Sequence, residues 1–157
     1  MLRALLVPSS PAPFQLERVA RVLAAHAPLC WAGLVEWHQR ELDGTLVGEW
    51  GDDSARPTLT ALTSWFVREV DVDDGLVRVS GSELGRDGVY VAVPLGDEGS
   101  VAGFLVLALE RSMPRRVELA LLESLDVLAR VLLPRPATHD EDRELVLVQP
   151  VRAAASG

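Results

Sequence analysis

The fold is decided by Gly88-Val-Tyr-Val-Ala-Val-Pro-Leu95 and Ser100-Val-Ala-Gly-Phe-Leu-Val-Leu-Ala-Leu109, two apolar runs rich in β-branched residues. The short segment Gly96-Asp-Glu-Gly99 separates them, and this arrangement predicts a β-hairpin with a glycine-bearing loop. Pro94 has no backbone N–H to donate, so it belongs at the end of its strand or on a sheet edge. Gly103 leaves a gap in the second strand, where another backbone or a ligand can approach closely.

The segments before the hairpin change from helical to strand periodicity. Apolar residues at helical spacing predict a helix from Phe14 to about Ala27, which Pro28 ends. Residues 29–37 and 45–50 then predict two antiparallel strands joined at Asp43-Gly44, with Trp31 and Trp37 on one face.

A second helix and a short strand lead into the hairpin. Thr58 is a suitable N-cap for a helix over 59–70, which Asp71-Val-Asp-Asp-Gly75 stops. Residues 76–80 predict a short strand, and 81–88 a turn or a single helical turn.

One long helix is predicted near the C-terminus, with Ser112 as its cap and Pro114 in its first turn. It is apolar on more than one face and ends at Pro134-Arg-Pro136. Residues 1–11 form a lead-in, and the acidic tail 135–157 adds a strand, docks elsewhere or is disordered.

The predicted order α-β-β-α-β-β-β-α indicates an α+β domain with an antiparallel sheet. Val93-Pro-Leu95 together with Gly103-Phe-Leu105 resembles the C-terminal hairpin of GAF domains, a family of small sensory and regulatory modules. The resemblance spans residues 12–134. It implies that the N- and C-terminal helices pack on one sheet face and that the other face holds a ligand pocket.

The chain departs from that family in its lid. Ligand-binding members carry one or two lid helices before the Pro-Leu strand, where this chain has only residues 81–88. So short a connection cannot enclose a nucleotide or a tetrapyrrole. We therefore expect a GAF-like domain whose second sheet face is left nearly bare.

Composition excludes several classes of function. The formal charge is −8, and all 15 basic residues are arginine, which is typical of a GC-rich genome, so we expect a bacterial source. Nucleic-acid binding needs a clustered basic surface, and a membrane helix needs about 18 consecutive apolar residues. The chain has neither, so we expect a cytoplasmic protein without nucleic-acid or membrane partners.

Cofactor and catalytic motifs are also missing, so we expect no cofactor, no metal and no enzymatic activity. Haem in this family takes a histidine from the lid region, whereas His26, His38 and His139 are scattered. Cys30 is the only cysteine; it cannot form the intramolecular disulfide that GAF-like methionine sulfoxide reductases use, and it is a poor match for tetrapyrrole attachment. His139 beside three acidic residues lacks fixed metal geometry, and nucleophile-elbow and phosphate-loop motifs do not occur.

The sequence is compatible with two functions. The first is a regulatory module that acts through homodimerisation and contact with a signalling protein. Its predicted dimer residues are Leu16, Val19, Leu23, Leu121, Leu125, Leu128 and Leu132. The alternative is a sensor of a small metabolite or anion. Its predicted aromatic-lined site consists of Trp31, Trp65, Phe66, Arg78 and Tyr90, although the tryptophans fit plain core packing as well.

Overall fold

The computed structural model describes residues 12–69, 75–97 and 100–133. The predictions for the lead-in 1–11, for the helix stop at 71–74 and for the tail 135–157, including His139, lie outside these residues. The elements are α1 (Ala12–His26), β1 (Leu29–His38), β2 (Asp43–Gly51), α2 (Leu59–Glu69), β3 (Val77–Ser80), β4 (Val89–Asp97), β5 (Ser100–Leu109), α3 (Arg115–Glu123) and α4 (Leu125–Leu132).

Five strands form one antiparallel sheet in the order β2-β1-β5-β4-β3. The predicted hairpin is its centre: β4 and β5 pair from Val89↔Leu109 to Asp97↔Ser100, with a register shift after Leu95. Pro94 lies beyond the last residue of β4 that pairs with β3, as its missing N–H requires. The α+β fold class is therefore confirmed.

One face of the sheet is covered by the two ends of the described chain. Apolar side chains of α1, α3 and α4 pack on alternate residues of the strands, including Leu34, Val93 and Leu107. This confirms that the terminal helices share a face. Six of the seven predicted dimer residues are only 0–2% exposed in this layer: Leu16, Val19, Leu23, Leu121, Leu128 and Leu132. They build the core of a single chain and have no side-chain area left for a partner, while Leu125 remains half-buried.

The opposite face is covered, which corrects the expectation of a nearly bare sheet. Helix α2 lies across it and buries Leu62, Trp65 and Phe66 to 2–3% exposure. The turn after β3 adds Leu84 to the same cluster. The bare face was predicted from the absence of lid helices alone. The large side chains of α2 cover this face with apolar surface instead.

The last helix begins later than predicted and is divided in two. Pro114, and not Ser112, occupies the N-cap position of α3. Ser124 has φ −98° and ψ 0°, outside helical values, and separates α3 from α4. The buried positions Val117, Leu121 and Leu128 still face one side, because the Leu128 N–H donates to the Ser124 carbonyl oxygen and continues the winding. Within the described ranges, no helix has the length and apolar character needed to cross a membrane.

Gly103 in β5 permits a close approach, as predicted, and this chain itself fills the gap. A Cβ at this position would lie 2.4 Å from the Val35 carbonyl oxygen and 2.2 Å from Leu133 Cδ1. The neighbouring strand and the end of the C-terminal helix occupy the space that sequence reasoning had left open to a ligand.

Candidate functional site

The sheet face under α2 carries a packed layer of rings, which we call the aromatic layer: Trp31, Trp37, Trp65, Phe66, Tyr90 and Phe104. Phe66 of α2 stacks on Phe104 of β5, with ring centroids 3.9 Å apart and an interplanar angle of 11°. The Trp37 ring meets both of these rings edge-on, at 6.1 and 5.9 Å. Helix α2 is thus joined to the sheet by ring-on-ring contact at distances of direct packing.

Trp31 is one of the three tryptophans in this layer and has no exposed surface. Its indole lies over Gly33, two residues along the same strand face; a Cβ on Gly33 would stand 2.2 Å from Trp31 Cη2. The indole N–H donates to Glu49 Oε2 at 3.3 Å, so its polar atom is satisfied. Glycine at 33 therefore makes the room in which the indole lies flat on the sheet.

The structure brings together four of the five residues predicted for ligand binding and separates the fifth. Trp31, Trp65, Phe66 and Tyr90 are together in the aromatic layer at 0–3% exposure. Arg78 points to the opposite face, because strand side chains alternate and its neighbour Val79 belongs to the aromatic side. There its guanidinium pairs with Glu118 of α3 at 2.7 Å. The predicted five-residue aromatic site is therefore not assembled.

A loop between β2 and α2 closes one end of the aromatic layer. Arg56 holds it by ion pairs to Glu49 at 2.6 Å and to Asp53 at 2.9 Å. Asp52 accepts a hydrogen bond from the Ser54 N–H at 2.9 Å, which keeps the pKa of the Asp52 carboxyl below its usual range. The other oxygen of the Glu49 carboxylate accepts the hydrogen bond from the Trp31 indole. Glu49 therefore contacts both the loop and the aromatic layer.

Tyr90 ties this loop to the central strands. Its hydroxyl donates to the Ala55 carbonyl oxygen at 2.6 Å, across 35 residues of sequence. Burial raises the pKa of Tyr90, with the neighbouring Cys30 as a second contribution. Its ring is packed in the aromatic layer, and its hydroxyl positions the loop.

An open polar cleft lies beside this loop, with a volume of about 730 Å³. One wall is the loop at Ser54 and Ala55; the other is the segment between β3 and β4. Hydroxyls, one guanidinium and one carboxylate line it, in contrast to the apolar layer next to it. The lining residues are Ser54, Ala55, Ser80, Ser82, Gly85, Arg86, Asp87 and Gly88.

The sequence predicts a turn or a single helical turn at 81–88, and Gly81–Leu84 forms one 3-10 turn, but the sequence does not single out Arg86 or Arg56. Two glycines with positive φ, Gly85 at 70° and Gly88 at 104°, fix the shape of this turn. The Asp-Asp-Ser sequence at 52–54 is a signal for a side-chain-capped turn that would have identified the opposite wall. The two turns face each other only in the tertiary structure, and neither local sequence signal predicts this.

Cys30 is held as a neutral thiol. Its Sγ donates to the Ala108 carbonyl oxygen of β5 at 3.2 Å. Burial raises the pKa of the Cys30 thiol, and the negative charge of Glu110 raises it further. Since the thiolate is the reactive form, this environment suits a packing role and disfavours nucleophilic chemistry.

The histidines do not form a metal site in the described part of the chain. His26 ends α1 on the surface, and the His38 ring hydrogen-bonds the Thr45 hydroxyl at 3.1 Å. Among residues 12–69, 75–97 and 100–133, no three side chains of His, Cys, Asp or Glu are grouped closely enough to hold a metal ion.

The raised pKa values predict a loss of stability in alkali. Because the folded chain holds the Cys30 and Tyr90 protons more tightly than the unfolded chain does, the free energy of unfolding should be constant from pH 6 to 8. It should fall as the pH rises above about 9, where the unfolded thiol ionises first. Urea denaturation across this range measures the slope. In a Cys30→Ala, Tyr90→Phe double variant the decline should flatten, and a stability that rises between pH 8 and 10 would contradict the assignment.

Solved structures with the same architecture are GAF domains and a reductase. The GAF domain/HD domain protein from Geobacter sulfurreducens matches with a TM-score of 0.59 and 13% identity, over 85% of this chain and 99% of that chain. The GAF domain from Acinetobacter phosphoenolpyruvate-protein phosphotransferase matches with a TM-score of 0.55 and 15% identity, over 79% and 83%. Free methionine-R-sulfoxide reductase from Neisseria meningitidis, in complex with its substrate, matches with a TM-score of 0.58 and 16% identity, over 83% of each.

The chain therefore has a GAF-like fold, as the hairpin sequence predicted. No family model and no curated protein matches it. The fold is shared by regulatory domains and by an enzyme, so function has to be argued from the side chains of this chain.

Proposed function

We propose that this chain is a non-catalytic, GAF-like regulatory module of the cytoplasm that acts through protein contacts, first of all with a second copy of itself. The observation that carries the proposal is the filled sheet face. The face on which the family resemblance implies a ligand is occupied by the aromatic layer, where Trp31, Trp65 and Phe66 are 0–3% exposed. A module whose ligand face is filled by its own side chains is suited to signalling through its outer surface.

Among the residues that the structure describes, Cys30 offers no support for cysteine catalysis. The lone Cys30 cannot form an intramolecular disulfide, and the pKa of its thiol is raised by burial and by the negative charge of Glu110. A reductase that resolves its oxidised cysteine with a second cysteine of the same chain cannot work with these residues. The similarity to methionine-R-sulfoxide reductases therefore concerns the fold alone.

The surface proposed for dimerisation is the outer face of α3 and the start of α4. Leu119 is 44% exposed there, and the half-buried Leu122 follows one turn later. Helical spacing places exposed Arg116 before these leucines and exposed Asp126 after them on the same side. We call Arg116, Leu119, Leu122 and Asp126 the outer stripe; it replaces the buried leucines predicted from the sequence.

The charges of the outer stripe favour a second copy as its partner. The stripe is basic at its N-terminal end, has two leucines at its centre, and is acidic at its C-terminal end, where exposed Glu123 lies beside Asp126. In a two-fold antiparallel pair, Arg116 of each copy therefore faces Asp126 of the other while the leucines meet at the centre. Such an isologous contact is self-complementary, although the chain as a whole has a formal charge of −8.

Leu119→Arg should convert the dimer to a monomer. The side chain is exposed, so the fold should survive, whereas a dimer would have to bury an unpaired guanidinium at its centre and should weaken by tenfold or more, ~1.4 kcal/mol or above. Size-exclusion chromatography with light scattering measures the mass. Val67→Arg is the matched control, because Val67 is 50% exposed on α2, away from the stripe.

Charge exchange tests the antiparallel arrangement. Arg116→Asp alone should weaken the dimer, and Arg116→Asp combined with Asp126→Arg should restore it, since each pair then has opposite charges again. A monomeric wild type, or a dimer that survives Leu119→Arg and is lost in Val67→Arg, would refute the proposed surface.

A further inference from the structure

We propose that the polar cleft between the loop at 53–56 and the turn at 81–88 binds a small polyhydroxylated carboxylate, a molecule of sugar-acid size and character. The cleft is separate from the aromatic layer and from the outer stripe. Its volume of about 730 Å³ lies within the range of ligand sites in proteins, although its lining is polar.

Arg86 supplies the anion-binding group. Its Nε donates to the Arg56 carbonyl oxygen at 3.0 Å, which fixes the plane of the guanidinium against the opposite wall. Its two Nη groups have no partner among the residues that the structure describes, and Arg86 lines the cleft. A planar guanidinium with its remaining edge free binds a carboxylate through two parallel hydrogen bonds.

The rest of the lining recognises hydroxyl groups. Ser54, on the loop, and the Ser80–Ser82 pair, whose hydroxyl oxygens are 2.9 Å apart, both donate and accept hydrogen bonds. Asp87 accepts only, so it favours a ligand that brings donors such as sugar hydroxyls. The Asp87 carboxylate and the formal charge of −8 also disfavour a phosphate dianion relative to a singly charged carboxylate.

The walls of the cleft are held in place before any ligand arrives. The turn is closed by hydrogen bonds from the Gly81 N–H to the Gly88 carbonyl oxygen at 3.0 Å and from the Arg86 N–H to Gly81 at 2.8 Å. The bond from the Tyr90 hydroxyl to Ala55 joins the loop to the strand that follows this turn. Little ordering is therefore required on binding.

Isothermal titration with gluconate, sorbitol, acetate and inorganic phosphate tests the proposal on the full chain. Because the cleft is open and hydrated, we expect gluconate to bind with a Kd of roughly 0.1–1 mM. Sorbitol has the same carbon chain without the carboxylate, and acetate has the carboxylate without the hydroxyls. Each of them should bind at least about tenfold more weakly, and phosphate should not exceed gluconate.

Variants locate the site. Arg86→Gln removes the guanidinium and should weaken gluconate binding by about tenfold or more. Ser82→Ala removes one hydroxyl and should weaken binding by a few-fold. Arg111→Gln changes an exposed arginine outside the cleft and should leave binding unchanged. The proposal is overturned if gluconate gives no heat at about 10 mM, if sorbitol binds equally well, or if Arg86→Gln, shown to be folded by circular dichroism, binds as the wild type does.

Discussion

Replacing Phe66 by alanine should lower the free energy of unfolding by about 3–5 kcal/mol. Phe66 is 3% exposed and stacks on Phe104 at 3.9 Å, so the change removes one of two rings that face each other across the contact between α2 and the sheet. The hydrogen-bonded strands below cannot move up to fill the space, and the lost ring leaves a cavity. Urea denaturation followed by tryptophan fluorescence measures the change.

A matched control on the same helix is Val67→Ala. Val67 is the next residue but is 50% exposed, and its truncation should change stability by less than about 0.5 kcal/mol. If Phe66→Ala cost as little as Val67→Ala, the aromatic layer would not be the packed cover that the structure shows.

The cavity left by Phe66→Ala provides a second readout. An apolar cavity of ring size stays dry and accepts an apolar guest, so benzene should raise the Tm of the variant. It should leave the wild-type Tm unchanged, because Trp37, Phe66 and Phe104 already fill the space with direct ring contacts. Equal stabilisation of both proteins by benzene would show that the wild-type face already has room for a ligand, against the proposed function.

The strand periodicity of the sequence predicts most of the fold. In β5 the odd-numbered Leu105 and Leu107 face the terminal helices, while the even-numbered Phe104 and Val106 face α2. This parity can be read from the sequence because successive side chains of a strand point to opposite faces. The same rule predicts that Trp31 and Trp37 share one face, and both lie in the aromatic layer.

The position of α2 could not be read in the same way. Its apolar residues predict a buried face, but periodicity does not say which sheet face receives it. The side chains settle this: Trp65 and Phe66 complement a strand face that presents Phe104 and the flat indole over Gly33. The missing lid helices suggested an empty face because sequence reasoning considered the length of a connection and not the volume of side chains already available.

The ion pair of Arg78 shows why contacts between residues distant in sequence are not predicted from one sequence. Its place on a short strand was predicted, but its partner Glu118 lies 40 residues away on α3. Which charge it meets depends on the register of β3 on β4 and on where α3 begins. The cleft is equally hard to predict. Arg86 donates to the Arg56 carbonyl oxygen, 30 residues away, and the turn signals around these two residues do not indicate that they meet.

Gly33→Ala should destabilise the protein by about 2–3 kcal/mol, because the new methyl group would occupy the space of the Trp31 ring. The added Cβ would lie 2.2 Å from Cη2 and 2.7 Å from Cζ2 of that indole, and the indole has no exposed direction in which to move. The strand backbone at Gly33 has no positive φ, so the cost is steric and not conformational.

A double-mutant cycle isolates this contact. In a Trp31→Leu background, itself destabilised by the loss of the large ring, Gly33→Ala should cost less than about 1 kcal/mol, giving a coupling energy of 1–2 kcal/mol. Gly85→Ala is the control: its Cβ meets no atom within 4 Å and its φ of 70° strains any side chain, so its cost should be equal in both backgrounds. Additive effects of Gly33→Ala and Trp31→Leu would mean that the indole does not lie on Gly33 and that another feature holds the aromatic layer to the sheet.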